Sequence, residues 1–442
     1  MSWDGRSTVE MITSIGHERR DVVVVGAGQA GLTLSWYLQL LGIDHAVLER
    51  DRAGESWRSA RWDSFTLVTP AWMTRLPGLT QPPGTGAEFT TRDDLVAMLE
   101  AYSKQLPVRT GVEVTALQRA GRRYQLTTSE GVLTARAVVA ATGALRRPVI
   151  PAMAARLPGT LLQLHAGQYR NPAALPPGAA LVVGSGQSGA QIAEELAHAG
   201  RQVFLATSQV GRTPRRYRGR DAHDWAQELG LHDRSADQAR PEERRAANPL
   251  LAGAHGGHTL ALQQLARDGV VLLGRLVDVT GTTLRFSDSA AANLHYGDQA
   301  AAAFRRAVDE HIRRHHLPAP PADLDPAERP YPLVPSPSKL DITADAITTV
   351  IWCVGFSPDT AWIDLPVLDH TGAITSRGGV TAIPGLYTLG APWLTHRGSG
   401  ILYGVATDAS SIARHLAAYL GHASPVQRQI AAAGSLPQRA AS

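Results

Sequence analysis

Val22-Val23-Val24-Val25 runs straight into Gly26-Ala27-Gly28-Gln29-Ala30-Gly31. The β-branched run is short enough for a buried parallel strand. Leu32, Leu34, Tyr37, Leu38 and Leu41 then predict an amphipathic helix that stops at Gly42, and Ala46-Val47-Leu48 predicts a second strand ending in Glu49. Each glycine has a mechanical task. Gly26 permits the tight turn, Gly28 lets backbone approach a pyrophosphate, and Gly31 lets helix and strand pack closely. The helix N-terminus offers N–H groups to the anion. Glu49, 23 residues beyond Gly26, stands where a carboxylate accepts hydrogen bonds from ribose hydroxyls, with Gln29 and Arg50 beside the same site.

The unit is written twice. Ala180-Leu181-Val182-Val183 leads into Gly184-Ser185-Gly186-Gln187-Ser188-Gly189, a helix to His198, and a strand from Gln202 to Ala206. Here the ribose end carries Thr207 and Ser208 and no carboxylate, with Arg212, Arg215 and Arg216 close behind. A carboxylate repels a 2′-phosphate, whereas hydroxyls and guanidinium forks bind one. The pattern predicts an unphosphorylated adenosine ribose at the first site, as in FAD, and NADPH at the second, with electrons passing between two dinucleotides. The expected class is α/β with two Rossmann-like, three-layer domains.

Composition removes the alternatives. The 442 residues carry 43 basic and 39 acidic side chains, a net charge of +4, and one cysteine. A lone Cys353 cannot form an internal disulfide, a CxxC redox pair or a multi-thiolate zinc site. That argues against a disulfide reductase. Lys104 and Lys339 are the only lysines, and no Walker-type phosphate loop occurs. The arginines are interleaved with acids, which argues against nucleic acid as a partner. No apolar stretch approaches the ~20 residues of a membrane span, and Met1 to Arg20 lacks the apolar core of a signal peptide. The expected setting is cytoplasmic, with no metal and a homodimer as an option.

The stretch Gly54-Glu55-Ser56-Trp57-Arg58 to Arg61-Trp62-Asp63-Ser64, continuing through Leu67-Val68-Thr69-Pro70, is dense in tryptophan. With it the sequence resembles the class B flavin-dependent monooxygenases, and within them a bacterial branch of small single-chain flavoproteins. That group comprises flavin-containing monooxygenases, Baeyer–Villiger monooxygenases and N-hydroxylases. The resemblance implies flavin contact for Trp57, Arg58 and Trp62. It makes Gly111-Val112-Glu113-Val114 the strand that meets the adenine and Val138 to Gly143, with Thr142, the crossing between domains. Ile351 to Phe356 reads as a second segment of that type. Gly385 to Gly390 resembles the last FAD strand, before a loop with His396 and Arg397 and a helix from Ile401 to Leu420 whose N-terminus faces the flavin. The class fingerprint F-x-G-x-x-x-H-x-x-x-Y is matched at His165 and Tyr169, while its first half reads Gly159 and Leu161. Flavin-containing monooxygenases also hold an asparagine after the tryptophan-rich segment; here the stretch reads Thr69-Pro70-Ala71-Trp72, leaving Thr69 or a backbone donor for that task.

Proline clusters at 147–151 and 330–332 divide the chain. The expected organisation is a leader over 1–20, an FAD domain over 21–150 and 336–425, and a flexible tail over 426–442. An NADPH domain over 151–335 is inserted, with a helical region over 211–330. His311 and His315 share a helix face without a metal-site glutamate, and His255-Gly256-Gly257-His258 reads as a loop before a helix. The expected activity is reduction of FAD by NADPH, formation of a C4a-(hydro)peroxyflavin with O2, and oxygenation of a small organic substrate at nitrogen or sulfur. Two readings stand beside it: an NADPH-dependent flavin reductase or oxidase without oxygen insertion, and a flavin-bearing accessory protein.

Overall fold

The computed structural model describes residues 18–79, 88–322, 324–332 and 335–422. The expected tail and nearly all of the expected leader lie outside them. The first strand starts at Glu18, three residues inside that leader.

Two sheets form the frame, the first mixed and the second parallel throughout. In the first, the strands Val108–Thr110, His45–Glu49, Glu18–Val25 and Gly131–Ala140 lie side by side. The last of these is ten residues long and serves two neighbours along its far edge. Its early half pairs antiparallel with Arg123–Thr128, which pairs in turn with Val114–Ala120. Its late half pairs parallel with Leu386–Thr388. Val22, Val23 and Val24 are completely buried, as a strand covered on both faces requires. Leu34 and Leu38 of the helix Gln29–Leu40 and Ile412 and Leu416 of the helix Val405–Leu420 share the core on one face. Leu117, Tyr124, Trp362 and Ile363 help fill the other.

The second sheet has the order Leu162–His165, Ile347–Trp352, Ala179–Val183, Val203–Ala206 and Val271–Leu273, all parallel. This moves the expected boundary. Residues 336–352 belong with the second sheet: Ile347–Trp352 runs through its middle, and Lys339–Asp341 pairs with Thr283–Phe286. The chain returns to the first domain later, through the antiparallel pair of Arg147–Pro148 with Phe356–Ser357. The region 211–330 is also less helical than its charge pattern predicts. Beside the 26-residue helix Ala290–His315 it holds one strand of the main sheet and the hairpin of Leu276–Thr280 with Thr283–Phe286.

Candidate active site: one cavity beneath two glycine turns

The two glycine motifs repeat each other at atomic detail. Gly26 has φ +108° and Gly184 φ +103°, a region that disfavours any side chain. A Cβ on Gly26 would lie 2.7 Å from the carbonyl oxygen of Ala141, and one on Gly184 2.6 Å from that of Cys353. On Gly31 or Gly189 it would be driven into the carbonyl oxygen of Gly26 or Gly184. Gly28 and Gly186 are the opposite case, since a Cβ there meets nothing within 4 Å. Neither following helix, Gln29–Leu40 or Gln187–His198, has a side-chain cap. Open cradles and uncapped N–H groups are what a pyrophosphate requires, so these residues fit a dinucleotide at each turn. Cys353-Val354-Gly355 is thus the counterpart of Ala141-Thr142-Gly143. Small size explains Cys353, and burial pushes its thiol up to about 12.

Each motif also places a glutamine after its second glycine, and each glutamine ties down an outer loop. Gln29 donates to the carbonyl of Gly400 (2.9 Å) and accepts from the Trp57 indole (2.8 Å). Gln187 donates to the carbonyl of Leu251 and accepts from its N–H (3.3 Å). Glu49 accepts from the N–H groups of Ala27 (2.8 Å) and Asp51 (3.1 Å), so its carboxylate is fixed at the ribose end of the first strand pair.

A cavity of about 700 Å³ joins the two motifs. Of the residues read from the sequence, Gly26, Gly28, Gln29, Glu49, Arg50, Trp57, Thr69, Val114, Thr142, Gly143 and Gly390 line it, as do Gln187 and Ser188 of the second motif. Gly31, Gly184, Ser185, Gly186 and Gly189 lie off the wall. Ser185 is fully buried and accepts from the N–H of Ser208 (2.9 Å), and Thr207 donates to the carbonyl of Leu273 (2.7 Å).

Several expectations are corrected. Trp62 is 5% exposed and packs in the core of the second domain, with its ring edge-on to Phe65. Arg58 turns away to Glu55 and Glu100. His396 is buried among Thr395, Ser399 and Asp408, on the part of the 390–402 loop that turns away from the cavity, and burial lowers the pKa of the neighbouring Arg397. Neither reaches the cavity wall. The last helix starts at Val405 rather than Ile401, with a buried Asp408 in its first turn whose carboxyl is raised by desolvation.

The three arginines expected at a 2′-phosphate are committed elsewhere. Arg215 is 1% exposed; it grips Asp221 at 2.5 and 2.7 Å, donates to the carbonyl of Val68 (2.8 Å) and lies over the Phe89 ring. Arg212 pairs with Asp298 and Glu328, and Arg216 with Glu88. These residues stitch the inserted domain together and to the hairpin of Thr66–Pro70 with Phe89–Thr91. Arg275, two residues past the end of the neighbouring strand Val271–Leu273, is exposed and without an ion pair among the described residues. Sequence reading also missed Arg61, Phe65, Gln191, Asn248 and Trp362 on the cavity wall. Asn248 and Trp362 come from distant segments with no motif around them; Arg61 was visible but carried no spacing signal.

The family model described as pyridine nucleotide-disulphide oxidoreductase matches residues 23–220. A CzcO-like oxidoreductase of Geobacillus kaustophilus is 31% identical over 395 residues, 88% of this chain and 96% of that one. An indole-3-pyruvate monooxygenase of rice, YUCCA4, is 32% identical over 45% of this chain and 49% of its own. A flavin-containing monooxygenase from Stenotrophomonas maltophilia shares the fold, with a TM-score of 0.64 over 91% of this chain and 99% of that one, at 20% identity.

Proposed function

The chain belongs with the CzcO-like oxidoreductases, and from that premise we propose a class B flavin-dependent monooxygenase, an NADPH-dependent FAD enzyme acting on a small organic substrate at nitrogen or sulfur. The observation that carries the reading is the single cavity lined by the first glycine turn on one side and by Gln187 and Ser188 of the second on the other. Bound FAD supplies hydride acceptance and activation of O2 there. The protein supplies binding and exclusion of water. Gly28 and the uncapped helix at Gln29 hold the FAD pyrophosphate, Glu49 the ribose, and Gly186 with the helix at Gln187 the NADPH pyrophosphate. Trp57, Phe65 and Leu67 form an apolar wall, and Thr69 and the Asn248 amide are among the donors on the lining that can face a polar oxygen. A soft nucleophile needs placement rather than activation, which suits a cavity without a buried acid–base pair.

Preference for NADPH over NADH rests on Thr207 and Ser208 in place of a carboxylate, with Arg275, exposed just past the neighbouring strand and without an ion pair among the described residues, as the guanidinium proposed to meet the 2′-phosphate. Arg275→Ala is expected to raise KM for NADPH by roughly tenfold, the worth of one charge-assisted bond, and to leave KM for NADH unchanged. The reading as a whole is tested on FAD-loaded protein with NADPH and O2. Small amines and thioethers are expected to yield products heavier by one oxygen, in proportion to NADPH consumed. Quantitative release of hydrogen peroxide with every substrate would instead establish the oxidase, and failure of NADPH to bleach the flavin would rule out both.

A further inference from the structure

Arg61 is the cavity residue that its own neighbours leave unexplained. Its guanidinium sits on the wall over a tilted pair of rings, 5.1 Å from the Trp57 ring centre and 5.5 Å from that of Phe65, which are 6.0 Å from each other. Among the described residues its side chain makes one hydrogen bond, to the carbonyl of Ala60 at 2.7 Å, and no ion pair. Guanidinium has five N–H donors, and an arginine even partly withdrawn from water normally has a carboxylate to take some of them. Desolvation alone pulls its pKa down to about 10, with no acid close enough to push it back.

The carboxylates on the same wall are already engaged. Glu49 is held by two backbone N–H groups, and Glu55 by Arg52 and Arg58. Glu113 lies near Arg50, while Asp359 takes Arg50 and Arg147. The cavity's other arginine without an ion pair among the described residues, Arg146, stands at the hinge edge beside exposed Leu145 and Arg147, with no aromatic ring of those residues against it. Arg61 alone combines a desolvated charge, adjacent rings and an apolar continuation through Leu67 and Val68. The pyrophosphates have their own receptors in the glycine turns, and a planar fork lying over two rings matches a carboxylate with an apolar body beside it.

We propose that Arg61 is a specificity-determining residue that receives the carboxylate of the substrate, so that the enzyme acts on small organic acids carrying an apolar or aromatic body. This rests on the monooxygenase reading for the word substrate, while its test needs no turnover. FAD-loaded protein is titrated calorimetrically with phenylacetate and (methylthio)acetate, each beside its neutral amide, and separately with NADP⁺. At least one acid is expected to bind roughly tenfold or more tightly than its amide. Arg61→Gln should erase that preference, Arg61→Lys should keep part of it, and both should leave NADP⁺ affinity unchanged. No preference for either acid over its amide in the unaltered protein overturns the assignment, whether or not the variants fold. So does a preference that survives in Arg61→Gln. A loss of NADP⁺ affinity with the acid-to-amide ratio intact reassigns Arg61 to a dinucleotide phosphate and likewise overturns it. If NADPH turnover gives only peroxide while the Arg61-dependent preference persists, the monooxygenase reading fails and the anion site stands.

Discussion

At the scale of single residues, the glycines of one turn do two separable things. Gly31 gives room to the backbone, because any Cβ there enters the Gly26 carbonyl oxygen; Gly28 gives room to a ligand, because a Cβ there meets only open space. Gly31→Val is therefore expected to destabilise the fold by on the order of 3 kcal/mol and to lose flavin with it. Gly28→Val should melt within a few degrees of the flavin-free parent yet stay colourless after incubation with FAD. Thermal melts with and without FAD distinguish the two, and a yellow Gly28→Val protein would refute the first site. The motif was legible because its spacing is imposed by backbone contact, which sequence records directly. Arg215 was not, since proximity in sequence to Ser208 says nothing about where a guanidinium finds its carboxylate. Arg215→Ala leaves Asp221 buried and unpaired, a loss of about 3–5 kcal/mol. It should lower the melting temperature while leaving the ratio of KM values for NADPH and NADH where it was.

At the scale of elements, the loop over 248–258 shows how a segment without a motif reaches the cavity. Gly253 packs against the carbonyl of Leu67 and Gly257 against the Phe89 ring, while Gln187 holds Leu251. His258 closes the set, with one ring nitrogen 2.7 Å from a Glu194 oxygen and the other 3.3 Å from the carbonyl of Ala254. Two acceptors favour the doubly protonated ring, and the Glu194 hydrogen bond raises the His258 pKa above its usual 6.5. The stability this contributes is complete below 6.5, where the unfolded ring is also charged, and is lost as pH rises through the raised folded value. His258→Asn should thus lower the melting temperature at pH 6 and approach the parent at pH 8 to 9. Equal deficits at both ends would show that the pair contributes no charge. Strands and helices flanking each glycine turn could be read from periodicity. This loop, and the strands hidden in 211–330, could not, because their order comes from contacts with residues 67, 89, 187 and 194 far away in the chain.

At the scale of the whole molecule, the question is whether two dinucleotide domains behave as one. The fingerprint residues speak to this. His165 accepts from the N–H of Gly167 at Nδ1, which leaves its Nε2–H to donate to the carbonyl of Gly355 at the return crossing. Tyr169 donates to Glu195 (2.7 Å), whose other oxygen accepts from Ser64 (2.6 Å), and Asp63 takes Asn171 and Arg92. The tryptophan-rich segment is therefore shared: Trp57 and Arg61 face the cavity, while Trp62 is sunk among Tyr169, Ala190 and Ile192 of the second domain. Resemblance pointed to this segment, but its alternation between cavity and foreign core depends on a domain contact that no local pattern encodes. Trp62→Ala removes a large side chain from that shared core, at a cost of about 3–5 kcal/mol. Because the lost packing spans both domains, calorimetry should show the parent melting in one cooperative transition. The variant should melt lower and in two, with the flavin released in the first. Added FAD binds only the folded first domain, so it should move that lower transition upward, by about 4 kcal/mol at a thousandfold excess over Kd. A single unshifted transition in the variant would mean that the domains are coupled through the hinge pair at Arg147 and Phe356 instead of through Trp62.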